Sequence, residues 1–295
     1  GHSTLTPGQF TQLTGRAGRR GIDKEGNALV CWSPFVPFAD VVELASSQDF
    51  VLRSAFRPTY NMVANLVVTR TRAEAELLLS RSFGQFQMDR RTGKKRSLVL
   101  ALEARLRVLE ARGLADGWRL EPRGGPLVRV FNEADLLVVE SLASGLLEGL
   151  GPVDLAAVAS CLTFRRRGRS RSEPPARKGE INRRILGISR LAEDLRAEER
   201  RHGVSSAEPP DPGFSTAARR WAEGDDLSEV LTDEWSGGEF VRNIRLLADL
   251  LGQLAEVGPT SVARSARRAV GALERGVVTV GGALGDSLTD AELGS

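Results

Sequence analysis

The 295 residues carry 41 Lys and Arg against 38 Asp and Glu, a net charge of only +3, with 41% apolar side chains. A chain of this length can bury one large core or roughly two or three small ones, and its near balance of charge excludes a uniformly basic nucleic-acid coat, so any such partner must be met by a local arrangement of charge. No apolar run nears the ~18 residues of a membrane span, Cys31 and Cys161 stand far apart in apolar surroundings, and His2 and His202 lack metal-ligand spacing, which together predict a cytoplasmic protein with buried free thiols and neither a membrane partner nor a bound metal.

In chain order, Gly1-His2-Ser3 reads as a cut end with helix-forming sequence directly after it, which predicts a truncated N-terminus. Thr6 can cap a helix with Pro7 first and Gln9 third, over residues 7–14. A glycine- and arginine-rich turn over 15–26 and a buried strand over 27–32 (NALVCW) are expected next. A lone helix, loop and strand bury too little apolar surface to be well ordered, so the first ~35 residues are expected to pack poorly. Helical spacing then predicts helices over 38–46, 59–68 and 73–88, the last ending in the basic connector 89–95. Residues 98–112 form an amphipathic helix with Leu102, Leu106 and Leu109 on one side, and 113–125 supply short strands and turns around Trp118 and Leu120. Several helices with a small β element fit a winged helix over 50–132. From residue 133 only helices are expected, over 133–147, 152–162, 178–202, 214–223, 227–231, 237–257 and 260–275.

Chemistry concentrates in residues 12–21, QLTGRAGRRG. Guanidinium groups on a loop whose glycines allow close backbone approach can clamp a phosphoryl group as charge shifts during its transfer. Arg16, Arg19 and Arg20 stand among such glycines, with Gln12 one helical turn earlier. Taken alone, the pattern fits a solvated basic turn joining a helix to a strand better than a phosphoryl clamp.

The whole string resembles motif VI of superfamily 2 helicases, and the doubled arginine of GRAGRRGID resembles the form in superkiller-like DExH-box RNA helicases. That resemblance implies an ATP site in which Arg16 and Arg19 are catalytic arginine fingers, with Gln12, Gly15 and Arg20 contacting the nucleotide. It extends along most of the chain. LRSAFRPTYNMVANLV (52–67) resembles the passage from a second RecA-like domain into a winged helix, and RSFGQFQMDR (81–90) fits the same family. ARRWAEGDDLSEVL (218–231) and GGEFVRNIRLLADLLGQLAEV (237–257) resemble parts of its C-terminal DSHCT domain, in the manner of the bacterial HelY type. The implied fold is mainly α, with a remnant of the second RecA-like α/β domain over 1–49, the winged helix over 50–132 and a helical bundle over 133–281. The bundle is DSHCT-like from about residue 214, and 282–295 form a flexible tail.

The resemblance further implies ATP and Mg2+ as cofactors of the complete enzyme. Its partners would be single-stranded or partly duplex RNA and the N-terminal motor part of the same protein. Motor motifs I to V are absent from this sequence: Gly93-Lys94-Lys95-Arg96 lacks the leading glycine and the hydroxyl of a P-loop, and Asp233-Glu234-Trp235-Ser236 is not a DExH box. This chain alone is therefore expected neither to hydrolyse ATP nor to hold it stably. The arch insertion carried by many such helicases is reduced to about residues 90–96.

Over 237–257, Phe240, Ile244, Leu247, Leu251 and Leu254 share one helical face, while Arg242, Arg245, Asp249 and Gln253 line the opposite one. Two arginines, a carboxylate and an amide in a row can touch successive phosphates and bases of a single strand. The alternative is a solvated face with a local Arg245 to Asp249 pair. The resemblance implies the ratchet helix that lines an RNA exit path. Residues 165–171 (RRRGRSR) offer either salt-sensitive phosphate contacts or a solvated loop. Arg53 and Arg57 beside Phe56 fit packing, and Trp221 and Trp235 fit the helical core. The expected function is the C-terminal part of a 3′-to-5′ ATP-dependent RNA helicase. A stand-alone nucleic-acid-binding module and half of a split motor acting in trans are the alternatives.

Overall fold

The computed structural model describes residues 5–18, 21–47, 54, 56–92, 97–166, 179–231 and 236–279. Its backbone divides into two units, Gly1–Phe56 and Arg57–Ser295.

In the first unit, Thr6 Oγ1 accepts from the Gln9 N–H at 3.3 Å and Gln9 Oε1 accepts from the Thr6 N–H at 2.9 Å. This capping box, with Pro7 in the first turn, starts α1 (Pro7–Thr14). Helix α2 (Phe38–Ser46) follows Pro37, and neither helix buries a residue. Residues 27–32 overturn the expected buried strand, because they carry no regular secondary structure and all six are exposed, Leu29 to 94% and Trp32 to 86%. Cys31, expected as a buried thiol, is exposed with them. A strand is held by ladder hydrogen bonds to a neighbour, and no named strand forms among the described residues.

The second unit begins with α3 (Tyr60–Thr69), whose cap Thr59 accepts from the Met62 N–H at 3.1 Å, and which buries Tyr60, Val63, Ala64, Leu66 and Val67. The single helix expected over 73–88 is broken into α4 (Arg72–Ser80) and α5 (Phe83–Thr92). The Arg81 and Ser82 N–H groups turn back to the Leu77 and Leu79 carbonyls, and Ser82 Oγ accepts from the Gln85 N–H at 3.2 Å, which starts a new helix. Helix α6 (Leu98–Ala111) buries Leu102, Leu106 and Leu109 as its period requires. The short strands expected over 113–125 reduce to one antiparallel bridge, Ala115 to Leu120. A 3-10 turn, Pro122–Arg129, then takes over, and Pro122 and Pro126 within it have no N–H to donate to a ladder.

The remaining helices are α7 (Asp135–Ala143), α8 (Pro152–Thr163), α9 (Glu180–Arg201), α10 (Ser215–Glu223), α11 (Leu227–Val230), α12 (Gly237–Val257) and α13 (Thr260–Leu273). Helix α8 is the hub, packing against α9, α10, α12 and α13. Every residue from 155 to 162 is buried, as expected of a helix apolar on all sides. Five of those eight are Ala, Ser or Cys, which lets its neighbours approach closely. Burial pushes the Cys161 thiol up to about 12, so it remains a protonated apolar filler.

Around the hub runs an aromatic chain. Phe164 lies 5.6 Å from Phe214, Phe214 lies 5.8 Å from Phe240, and Trp221 meets Phe240 edge-on at 5.3 Å. Trp221 is in the core as predicted, with Nε1 donating to the Leu273 carbonyl at 2.9 Å and the Arg275 guanidinium over its ring at 3.6 Å. Trp235 lies outside the described residues.

Buried polar groups join the first helices of this unit to the bundle. Tyr60 Oη donates to Glu199 Oε1 on α9 at 2.9 Å, and Asp135 Oδ2 on α7 accepts from the Asn61 N–H at 2.7 Å. Asn61 Nδ2 donates to the Leu127 and Val128 carbonyls of the 3-10 turn at 2.7 and 3.2 Å. Each bond satisfies a group that would otherwise be costly to bury.

Candidate nucleic-acid interface

The loop after α1 is closed by two glycines. Gly18 has φ +83°, a Cβ on it would stand 2.9 Å from the Gly26 Cα, and one on Gly26 would run into the Ala17 carbonyl. On this loop and the preceding helix, Gln12, Gly15 and Arg16 are all exposed, while Arg19 and Arg20 lie outside the described residues. The donors on Gln12 and Arg16 suit a phosphate.

Helix α12 also starts at a capping box, in which Ser236 Oγ accepts from the Glu239 N–H and Glu239 Oε2 accepts from the Ser236 N–H, both at 3.3 Å. Phe240, Ile244, Leu247, Leu251 and Leu254 are each 0% exposed, so the apolar face is fully docked and the helix cannot roll. Its opposite face therefore has a fixed direction. There Arg242, Arg245 and Asp249, with Gly238, Val241 and Leu246, line a shallow open depression of about 360 Å³.

The four polar residues expected in a row are brought together, but they are not equivalent. Arg242 is exposed and has no hydrogen-bond partner among the described residues. Arg245 donates from Nε and Nη2 to the Val278 carbonyl at 3.3 and 2.8 Å, which draws it there rather than to Asp249. Asp249 Oδ2 accepts from Gln253 Nε2 at 2.8 Å, and Gln253 Oε1 accepts from the Phe131 N–H at 2.8 Å. The Gln253 amide is thus engaged on both sides. Arg129 and Glu256 form an exposed pair at 3.3 Å, of the kind that contributes little to stability.

Sequence reasoning passed over Phe131, which sits beside this stripe and is 67% exposed. The only local signal was an aromatic residue directly after a proline- and glycine-rich turn, outside any helical period. Of the arginine run, Arg165 donates to the Phe164 carbonyl at 2.7 Å, and residues 167–171 lie outside the described residues. Arg57 and Phe56 are exposed, and Arg53 is not among the described residues.

The stripe lies within a region with known relatives. The DSHCT (NUC185) domain family matches residues 117–280, more than half of the 295. The chain belongs to the DSHCT family. The match reaches well N-terminal of residue 214 and takes in Phe131, the hub helix α8 and all of α12. A probable helicase HelY of Mycobacterium tuberculosis is 24% identical over 507 aligned positions, covering 95% of this chain and 56% of the relative. Its counterpart in Mycobacterium leprae is 37% identical over 182, covering 57% of this chain and 20% of that protein. Human superkiller complex protein 2 is 38% identical over 109, covering 36% of this chain and 8% of the relative. This DSHCT chain therefore corresponds to the C-terminal portion of a superkiller-like helicase and spans little more than half the length of the longest-matching of these three. No helix among the described residues is long and apolar enough to cross a membrane.

Proposed function

We propose that this chain is the RNA-path portion of an ATP-dependent RNA helicase that moves 3′ to 5′. The observation that carries the proposal is the fixed polar face of α12, on which Arg242 and Arg245 stand over an open depression while the opposite face is wholly docked. Two guanidinium groups on a helix that cannot roll are placed to hold the phosphates of a passing strand. In this reading the helices before the 3-10 turn belong to a winged helix, and the DSHCT bundle is the surface past which RNA is drawn.

ATP, with Mg2+, would supply the free energy of movement when bound by the complete enzyme. Gln12, Gly15, Arg16, Arg19 and Arg20 would serve that site as a surface closing onto phosphates held by the motor region. The names of the relatives, helicases in both bacteria and eukaryotes, support the same assignment.

The test is RNA affinity. Arg242→Ala combined with Arg245→Ala is expected to weaken binding of a labelled oligouridylate of about 20 nucleotides at least ten-fold, and to flatten the dependence of log affinity on log salt by roughly 0.7 per lost phosphate contact. Anisotropy titrations at several salt concentrations measure both. An unchanged affinity and slope would remove α12 from the RNA path.

A further inference from the structure

Phe131 occupies an unusual position. Its neighbours Val130 and Ala134 are 0% and 4% exposed, yet its own ring is 67% in water. The backbone beneath that ring is fixed, since the Phe131 N–H donates to Gln253 Oε1 and Gln253 in turn donates to Asp249, each at 2.8 Å. Immediately after it, Asn132 Oδ1 accepts from the Ala134 N–H at 2.8 Å and holds the turn into α7. The ring is therefore presented rather than loose. At 1.5 Å of rise per residue, Arg242 and Gln253 are about 16 Å apart along α12. Cationic groups thus stand at one end of the stripe and a bare aromatic ring at the other. Cations for the backbone plus an aromatic face for a base is the pairing by which single strands are held without sequence readout.

We infer that Phe131 is a base-stacking platform for single-stranded RNA running along α12, and that Gln253 is the positioning residue that holds it there. The inference rests on the reading of α12 as the RNA path. It gives the Gln253 amide a role toward the loop, not toward a base. A docked apolar protein segment is the competing occupant of the ring.

The test uses the 295-residue chain with two labelled probes of equal length and charge, an oligouridylate of about 20 nucleotides and an abasic strand. Phe131→Ala is expected to weaken oligouridylate binding about ten-fold while leaving abasic-strand affinity, the salt slope and the thermal midpoint unchanged, and Phe131→Trp is expected to restore binding. Gln253→Ala should reproduce much of the loss and add little to Phe131→Ala. The Arg242/Arg245 double variant should weaken both probes. If that double variant loses affinity and Phe131→Ala does not, stacking is overturned and the path reading stands. Equal loss on both probes with Phe131→Ala also overturns stacking. If the unaltered chain binds neither probe, or the double variant binds both as well as the unaltered chain does, the path reading fails and the platform fails with it.

Discussion

Phe240→Ala is expected to lower the unfolding free energy by about 4 kcal/mol, within the range for truncating a buried aromatic. Phe240 is 0% exposed and links Phe214, at 5.8 Å, to Trp221, at 5.3 Å, so it joins α12 to α10 and to the turn before it. The cavity would be walled by two rings that are themselves tied. Trp221 is pinned by its bond to the Leu273 carbonyl and by the Arg275 guanidinium, and Phe214 is stacked on Phe164. Rings held in this way cannot collapse into the space, which is the condition under which the cavity cost is largest. Phe240→Leu should recover about half the loss, because most of the apolar volume returns without the edge-on aromatic contact. Urea unfolding followed by far-ultraviolet circular dichroism measures both, and a loss below about 1 kcal/mol for the alanine variant would mean that the bundle tolerates the void. The same substitution reaches the RNA surface, since Phe240 lies two residues before Arg242 and anchors the turn that carries it.

Helix α12 was legible in the sequence because a single period decides it: residues 240, 244, 247, 251 and 254 are apolar, and all five are fully buried. The capping signal at Thr6 was equally local, needing only the residue three positions on. Residues 27–32 misled for the opposite reason. NALVCW has the composition of a buried strand, but burial is a property of the partner that covers it, and no local pattern supplies a partner. The break at Arg81 and Ser82 was hidden because apolar spacing continues across it from Leu79 to Phe83, while the cap that restarts the helix is one serine hydroxyl. At the candidate site, periodicity placed Gln253 on the polar face of α12, where the structure has it half-buried. It could not reveal that its amide is bonded to a backbone N–H 122 residues away, nor that the residue so held is an exposed phenylalanine.

Asp135→Ala is expected to cost about 3 kcal/mol, because it leaves the Asn61 N–H without the acceptor at 2.7 Å and the Leu136 N–H without the one at 2.8 Å, in a site only 3% exposed. Its pH dependence is more diagnostic. Burial pushes the Asp135 carboxyl from its ordinary 3.8 up to about 6, against the opposing pull of the backbone N–H groups and of Arg105. Between about pH 4 and pH 6 the folded protein therefore binds this proton more tightly than the unfolded chain does. Stability from this group is fully present below pH 4, falls as the pH rises through about 6, and is flat above that, a total change of roughly 3 kcal/mol for a gap of about two pH units. Asp135→Asn, neutral throughout, should abolish that step and narrow or reverse its deficit above pH 6. Thermal midpoints of both proteins from pH 4 to 8 measure this, and a wild-type midpoint that rises steadily across the window with the same slope in the asparagine variant would refute the assignment. The consequence reaches the RNA surface through packing. Asp135 holds the start of α3 at Asn61, the Asn61 side chain holds the Leu127 and Val128 carbonyls, and those residues lead directly to Phe131. The alanine variant should therefore also weaken oligouridylate binding under conditions where it remains folded, whereas the asparagine variant, with an acceptor still facing Asn61, should bind RNA normally.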